Sequence, residues 1–307
     1  MLLLTHPACV RHEIAPGHPE CPDRLRAVMQ ALEAQQFSTL IRAEAPEATR
    51  EQLERVHPAF YVDRILSIRP PEGDSVALDA DTAMNAHSAE AALRAAGAGV
   101  AAVDAVCGGE YPRAFCAVRP PGHHAEPTQA MGFCLFSSAA IAARHAQAAH
   151  GVERVAVLDF DVHHGNGTQA AFERDPTLFL ASSHQMPLYP GTGAASETGV
   201  GNILNVPLRP YADGPAFRRA WEAEILPAVE RFAPGLIVIS AGFDAHRRDP
   251  LAQINLDEAE FAWVTEAICD VARRTSGGRV VSMLEGGYDL TALARSAAAH
   301  VRALMQA

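Results

Sequence analysis

Short apolar runs alternate along this chain with long alanine-rich segments of helical period, and each run leads within a few residues to glycine, serine, aspartate or histidine. The runs are AFCAV, RVAVLDF, LFLASS, GLIVISAGF and RVVSML. The helical segments span His87 to Cys107, Leu135 to His150, Asp213 to Phe232, Asp257 to Arg274 and Asp289 to Ala307. Strand alternating with helix predicts an α/β fold, a parallel sheet covered by helices on both faces. Strands buried on both sides read as continuous apolar runs, as these do.

The chain has 307 residues, enough for two average domains or one large α/β domain. No repeat, low-complexity tract or linker divides it. The best break, IRPPEGDS around Pro70 to Ser75, follows a segment that reads as helices rather than as an independent core. One domain over 1–307 is expected. With 49% hydrophobic and 20% charged residues, a sizeable core can be buried.

The formal charge of -11, from 25 Lys+Arg against 36 Asp+Glu and without a basic run, argues against a grip on nucleic acid phosphate. It suits a cationic substrate, and equally it keeps a protein soluble. Cys9, Cys21, Cys107, Cys116, Cys134 and Cys269 form no CxxC pair and read as reduced thiols in a cytoplasm. The opening MLLLTHPACVRHE lacks the basic region and apolar length of a signal peptide, and no stretch approaches a membrane span.

The chemistry lies just after the apolar runs: RPPGHHA after FCAV, DFDVHHGNG after VAVL, SSH after LFLA, AGFDAH after LIVIS and EGGY after VVSML. In open α/β sheets ligands bind outside the carboxyl ends of the strands, so five loops are expected to converge on one crevice. Asp161 and His163 bracket one residue, a spacing that turns two side chains of an extended segment the same way. Asp244 supplies a third ligand from another strand end. Two carboxylates and an imidazole with an open position describe a catalytic rather than a closed structural zinc site. The competing reading has Asp161 capping a helix that starts near Gly165 while His163 merely packs.

His123 and His124 can divide the work of base and acid if their partners differ. Asp159 would hold one imidazole and Asn166 the other, and a carboxylate raises a histidine's basicity where an amide does not. Tyr288, after two glycines, can donate to an oxyanion, or can be an ordinary turn tyrosine.

Taken in order, HPECPDR, RPPGHHA, GFCLF, DFDVHHGNGTQ, SAGFDAHRRDPLA and LEGGYDL resemble the histone deacetylase family, in its class II and bacterial deacetylase-like amidohydrolase branch, from about His18 to Leu290. The resemblance implies the arginase-deacetylase fold, an eight-stranded parallel sheet between helices, and zinc-dependent hydrolysis of an acyl amide. By position, Asp161, His163 and Asp244 would hold zinc, His123 and His124 would be the acid/base pair, and Tyr288 would polarise the carbonyl. Family branches with histidine in place of this tyrosine lose most activity, so Tyr288 implies a competent enzyme.

Asn166 stands where class I members have aspartate. Phe133 and Tyr189 match the two tunnel-wall positions, where core packing is the alternative, and a tyrosine in place of the usual second phenylalanine makes the wall more polar. Gly132 would offer its carbonyl to the substrate amide. Asp159, Asp161, His163, Ser182 and Ser183 match a structural potassium site, several through backbone carbonyls. Arg24 matches a position linked to an internal channel for the released acid, with surface ion pairing as the alternative.

The substrate implied is an N-acetyl-lysine-type or other acylated amine. Leu251 occupies the tunnel-mouth segment where acetylpolyamine enzymes of the family commonly carry glutamate, and no long early insertion of the polyamine type is present, so polyamine ranks second. Arg247 and Arg248 near the presumed rim read as solvated charge. Ureohydrolase chemistry with two manganese ions lacks a second DxD at AGFDAH. A non-catalytic acyl-lysine sensor is disfavoured because Tyr288 and both histidines are present.

Overall fold

A computed structural model describes Met1–Ala307 throughout. Its strands are β1 (Leu2–Thr5), β2 (Ile41–Glu44), β3 (Ser75–Ala77), β4 (Ala83–Asn85), β5 (Arg113–Cys116), β6 (Val155–Asp159), β7 (Leu178–Gln185), β8 (Ile203–Leu208), β9 (Leu236–Ala241) and β10 (Val280–Leu284). The helices are α1 (Pro22–Ala31), α2 (Arg50–Glu54), α3 (Ala59–Ser67), α4 (Ser88–Cys107), α5 (Ser138–His150), α6 (Asn166–Phe172), α7 (Gly214–Ala220), α8 (Leu226–Phe232), α9 (Glu258–Thr275) and α10 (Leu290–Gln306).

Eight strands form one all-parallel sheet in the order β2-β1-β5-β10-β9-β6-β7-β8, while β3 and β4 make a small antiparallel hairpin. The central strands β5, β10, β9 and β6 are buried at every residue, which is why their sequences run apolar without alternation. Helices α4 and α5 pack on each other and on one face, and α1, α10, α9 and α8 build the other layer. This is the eight-stranded sheet between helices that the resemblance implied.

The five helical segments form within one to three residues of their expected bounds, because local chemistry starts them. Asp257 and Glu260 make a capping box on α9, and Asp289 accepts the Ala292 N–H at the start of α10, contacts worth about 1 kcal/mol each. The segment from Asp213 to Phe232 is helical throughout but contains a π turn over Trp221–Ile225.

The first seventy residues depart from expectation. Besides helices they supply β1 and β2, so they complete one edge of the sheet. β1 has only four residues and β2, IRAE, is exposed along its whole length, leaving no hydrophobic period to read. The opposite edge, β8, escaped notice because Asn205 and Pro207 interrupt its apolar run. Proline is tolerated there because an edge strand has N–H groups without ladder partners.

Candidate active site and metal centre

The four loops richest in ionisable groups leave β5, β10, β9 and β6, which are neighbours in the sheet, so their carboxyl ends share one crevice. At its floor His163 Nδ1 lies 3.1 Å from Asp161 Oδ1 and 3.1 Å from Asp244 Oδ2. Both carboxylates are wholly buried. Backbone donors fix them: His163 N and Gly286 N donate to the two oxygens of Asp161, and Val162 N donates to Asp244 Oδ1. A side chain at Gly286 would place its Cβ 2.2 Å from Asp244 Oδ2, so only glycine lets the β10 loop approach. Asp161 caps no helix, since α6 starts at Asn166 with Gly165 before it.

Two carboxylates so close and so buried require a cation. Burial opposes the charge on His163, but Asp161 and Asp244 outweigh it and lift its pKa to about 10. Burial also raises both acids; His123 and His163 nevertheless pull Asp161 far below the carboxylate range, whereas Asp244, with Asp161 beside it, ends above its ordinary value. A divalent ion replacing the imidazolium proton would meet one imidazole and two carboxylates, a donor set that fits zinc.

Two other His/carboxylate groups come close together, Asp104 with His145 and His150, and His246 with Asp257 and Glu258. In both, the far ring nitrogen is already an acceptor. His145 Nδ1 takes a hydrogen bond from Arg55 and His246 Nδ1 takes one from Arg248 N, so Nε2 carries the proton and has no lone pair for a metal. Asp161, His163 and Asp244 are free of this conflict.

Beside the triad stand His123 and His124. His123 Nδ1 is 2.9 Å from Asp159 Oδ2, and its Nε2 is 3.7 Å from Asp161 Oδ2. His124 Nδ1 faces Asn166 Oδ1 at 2.8 Å. Burial lowers both imidazoles, but Asp161 and Asp159 lift His123 well above the usual histidine value. His124, crowded by the His123 and His163 charges, is held well below it. Asp159 is pushed up to about 6 by burial against the pull of His123. The expected difference in partners is present, with one cationic and one neutral imidazole.

A narrow cavity of about 230 Å³ opens onto His124, lined with it by Asp81, Gly132, Phe133, His163, Leu188, Tyr189, Leu251 and Tyr288. The largest hollow, about 930 Å³, lies between segments 10–26 and 72–87 and contains none of the triad or the histidine pair. Phe133 and Tyr189 therefore line the crevice rather than the core, and Tyr189 keeps 39% of its surface exposed. Gly132 (φ +55°) presses against His124, where a Cβ would come within 2.4 Å of the ring. Phe133 is itself left-handed at φ +68°, a conformation that costs roughly 1–3 kcal/mol.

Its surroundings hold it there. Phe133 N donates to Thr82 Oγ1 at 2.9 Å, Tyr61 Oη donates to Leu135 O at 2.7 Å, and Ser137 N donates to His57 Nε2 at 2.9 Å. Leu135 and Phe136, buried against α3, contribute about 1.5–3 kcal/mol each.

Tyr288 also lines the cavity, its ring 5.8 Å from that of Phe133. Burial raises its phenol well above the ordinary value despite Arg24, so it is a protonated donor at neutral pH. Arg24 is fully buried, which overturns the surface ion-pair alternative. It lies 4.8 Å over the Tyr288 ring, donates to Gly287 O and Glu285 O, and pairs with Glu20. Arg247 and Arg248 pair with Asp257 and Asp289 at the surface. His164, also singled out in the motif, turns away to Thr192 and Gln169.

Ser182 is registered against Asp159, its hydroxyl taken by His184, and Ser183 Oγ accepts from Trp221 Nε1.

Sequence reasoning missed Asp81 and Leu188 on the cavity wall, and three buried acids around it. Glu285 Oε2 accepts the N–H groups of Gly122 and His123 at 2.6 and 3.1 Å, holding the base of the histidine loop. Glu20 is gripped by Arg24 and Arg119, and Asp249 receives Tyr288 N. The glutamate after β10 stood in the quoted EGGY and carried a signal: an acid directly after a buried strand.

A parallel α/β sheet with a buried Asp–His–Asp triad beside a histidine pair and a tyrosine fits the class of amidohydrolases. Residues 18–304 match the family described as the histone deacetylase domain, and the chain belongs to the histone deacetylase family. It is 43% identical to the histone deacetylase-like amidohydrolase of Pseudomonas aeruginosa, over 91% of this chain and 74% of that one. It is 41% identical to histone deacetylase 14, chloroplastic, of Arabidopsis thaliana, over 94% and 73%. The crystal structure of the HDA15 HD domain superposes with a TM-score of 0.93 at 36% identity, over 99% of this chain and 88% of that one. These relatives support a hydrolase with deacetylating activity.

Proposed function

We propose that the chain is a zinc-dependent deacylase that hydrolyses an acylated amine of the N-acetyl-lysine type. The observation that carries this is the convergence of His163, His124 and Tyr288 on one narrow cavity whose floor is the buried Asp161–His163–Asp244 triad. Asp161, His163 and Asp244 would hold zinc, which supplies Lewis acidity to polarise the amide carbonyl and acidify water. The cavity accepts one slender chain, and Phe133 and Tyr189 flank it.

His124, neutral and facing the cavity, takes a proton from the attacking water and returns it to the leaving amine. Asn166 fixes its orientation. His123, kept cationic by Asp159 and Asp161, stabilises the negative charge that builds on the acyl carbon's oxygens. The Tyr288 phenol donates to the same oxyanion. The Gly132 carbonyl would accept the substrate N–H.

Asp159, Asp161, His163, Ser182 and Ser183 would hold potassium beneath the triad and stiffen its loop. The free state of all six cysteines suits a cytoplasmic protein, and no helix is long and apolar enough to cross a membrane. Leu251 at the cavity favours acyl-lysine over acylpolyamine, whose amines would gain from a carboxylate there. Both side-chain oxygens of Asp159 are taken by His123 and the Asp161 N–H, so Asp159 would meet potassium through its backbone carbonyl and has no carboxylate oxygen free for a second manganese, which tells against the two-manganese alternative.

Metal analysis combined with a panel of acyl-lysines and acylpolyamines tests this. One zinc per chain, chelator-sensitive turnover and preference for acyl-lysine support the proposal. Two manganese ions per chain, or no turnover of any acylated amine by the zinc-loaded protein, contradict it.

A further inference from the structure

We propose that Asp249 is a positioning residue for Tyr288, its buried carboxylate tying together two loops that both line the cavity. The proposal rests on the reading of Tyr288 as the oxyanion donor. Asp249 is 8% exposed; its Oδ2 accepts Tyr288 N at 2.8 Å and its Oδ1 accepts Leu251 N at 3.0 Å. Leu251 and Tyr288 both line the cavity, one from the loop after β9 and the other from the loop after β10. A single side chain therefore sets the separation of a rim residue and a reacting phenol, without touching substrate itself.

The tether is placed where the backbone is freest. Tyr288 follows Gly286 and Gly287, the latter at φ +121°, and a glycine pair alone leaves the next residue free to swing. Arg24 holds this turn from one side by its carbonyls, Glu285 O and Gly287 O. Asp249 holds it from the other by the tyrosine N–H. An exposed tie, Arg248 to Asp289, joins the same two loops but is screened by solvent.

The choice of aspartate is informative. Burial pushes its pKa to about 7, with the Asp244 charge adding to the rise. A turn needing only one acceptor is served by serine or asparagine without that burden. Only a carboxylate offers acceptors on both sides to two inward-facing N–H groups at this distance.

The test is a double-mutant cycle of Asp249→Asn with Tyr288→Phe in the zinc-loaded enzyme, with zinc content and melting temperature recorded for each protein. Asparagine keeps the shape but points an NH₂ at one of the two N–H groups. We expect Asp249→Asn to lower kcat about tenfold to a hundredfold at full zinc occupancy. In the Tyr288→Phe background it should cost less than about twofold, because the hydroxyl it positions is gone. Asp249→Ser, smaller and unable to clash, repeats the test should asparagine impair folding.

An equal loss in both backgrounds, or a loss that follows zinc release or melting temperature, overturns the proposal and leaves the reading of Tyr288 intact. An unimpaired Tyr288→Phe enzyme overturns that reading and the proposal with it.

Discussion

Asp159 Oδ2 lies 2.9 Å from His123 Nδ1, where the adjacent His124 has only the amide oxygen of Asn166 at 2.8 Å. Replacing the carboxylate by an amide in Asp159→Asn removes the charge that favours the His123 cation and offers Nδ1 either a donor or a weaker acceptor. We expect kcat to fall by about 10²–10⁴ with part of the zinc retained, read by steady-state kinetics and metal analysis side by side. Near-normal kcat would show that His123 does not act through Asp159.

The triad makes a different prediction. Asp161→Ala or Asp244→Ala leaves two ligands and, at His163, an imidazole stripped of one of the carboxylates it faces. Both zinc retention and turnover should be lost, because three protein ligands are the minimum for such a site. A variant that keeps one zinc per chain after dialysis contradicts the assignment.

At the rim, Leu251→Glu adds a carboxylate to the cavity wall. A cationic acylpolyamine should gain up to about fivefold in kcat/KM relative to an acyl-lysine, the worth of a partly exposed charge pair, and the gain should shrink as salt rises. No change in the ratio at low salt would mean that Leu251 does not meet the substrate's distal part.

Buried histidines away from the metal set the acid limit of stability. His57 donates Nδ1–H to Pro127 O and accepts Ser137 N at Nε2, and burial lowers its pKa to about 4; His300, between Thr265 and Ser282, is lowered by burial to about 3. Their folded pKa values lie below the unfolded value of about 6.5, so the unfolded chain takes up protons first. The stability they contribute is present above that value and is lost as pH falls towards 4, by about 1.4 kcal/mol per pH unit for each histidine. Urea titrations at pH 7, 6 and 5 should show this, and His300→Gln should show a shallower fall. Parallel pH dependences would remove His300 from the account.

The site was most legible where its geometry is local. Asp161 and His163 reach one point because they are two residues apart, although the segment past β6 is bent rather than extended as expected, and the histidine pair sits in one short loop. Asp249 was silent because the Tyr288 N–H it holds lies 39 residues away, and Glu285, marked only as an acid directly after a buried strand, gave no hint of its partner because the Gly122 N–H lies 163 residues away; both pairings are set by strand order rather than by any pattern of side chains. Arg24 read ambiguously for the same reason, since its burial depends on carbonyls of the β10 loop. In the fold, the buried central strands announced themselves by apolar runs. β1 and β2 did not, being too short or too exposed to carry a period.

The central claim is that this crevice stabilises an oxyanion, and Tyr288→Phe tests it most directly. The phenol is protonated, lines the same cavity as His124 and lies outside the Asp161–His163–Asp244 triad. A donor that strengthens only as charge develops should matter to kcat far more than to KM. On the best acylated amine, we predict a loss of about a hundredfold to a thousandfold in kcat with little change in KM and one zinc per chain. Near-normal turnover by the zinc-loaded Tyr288→Phe protein would contradict the account.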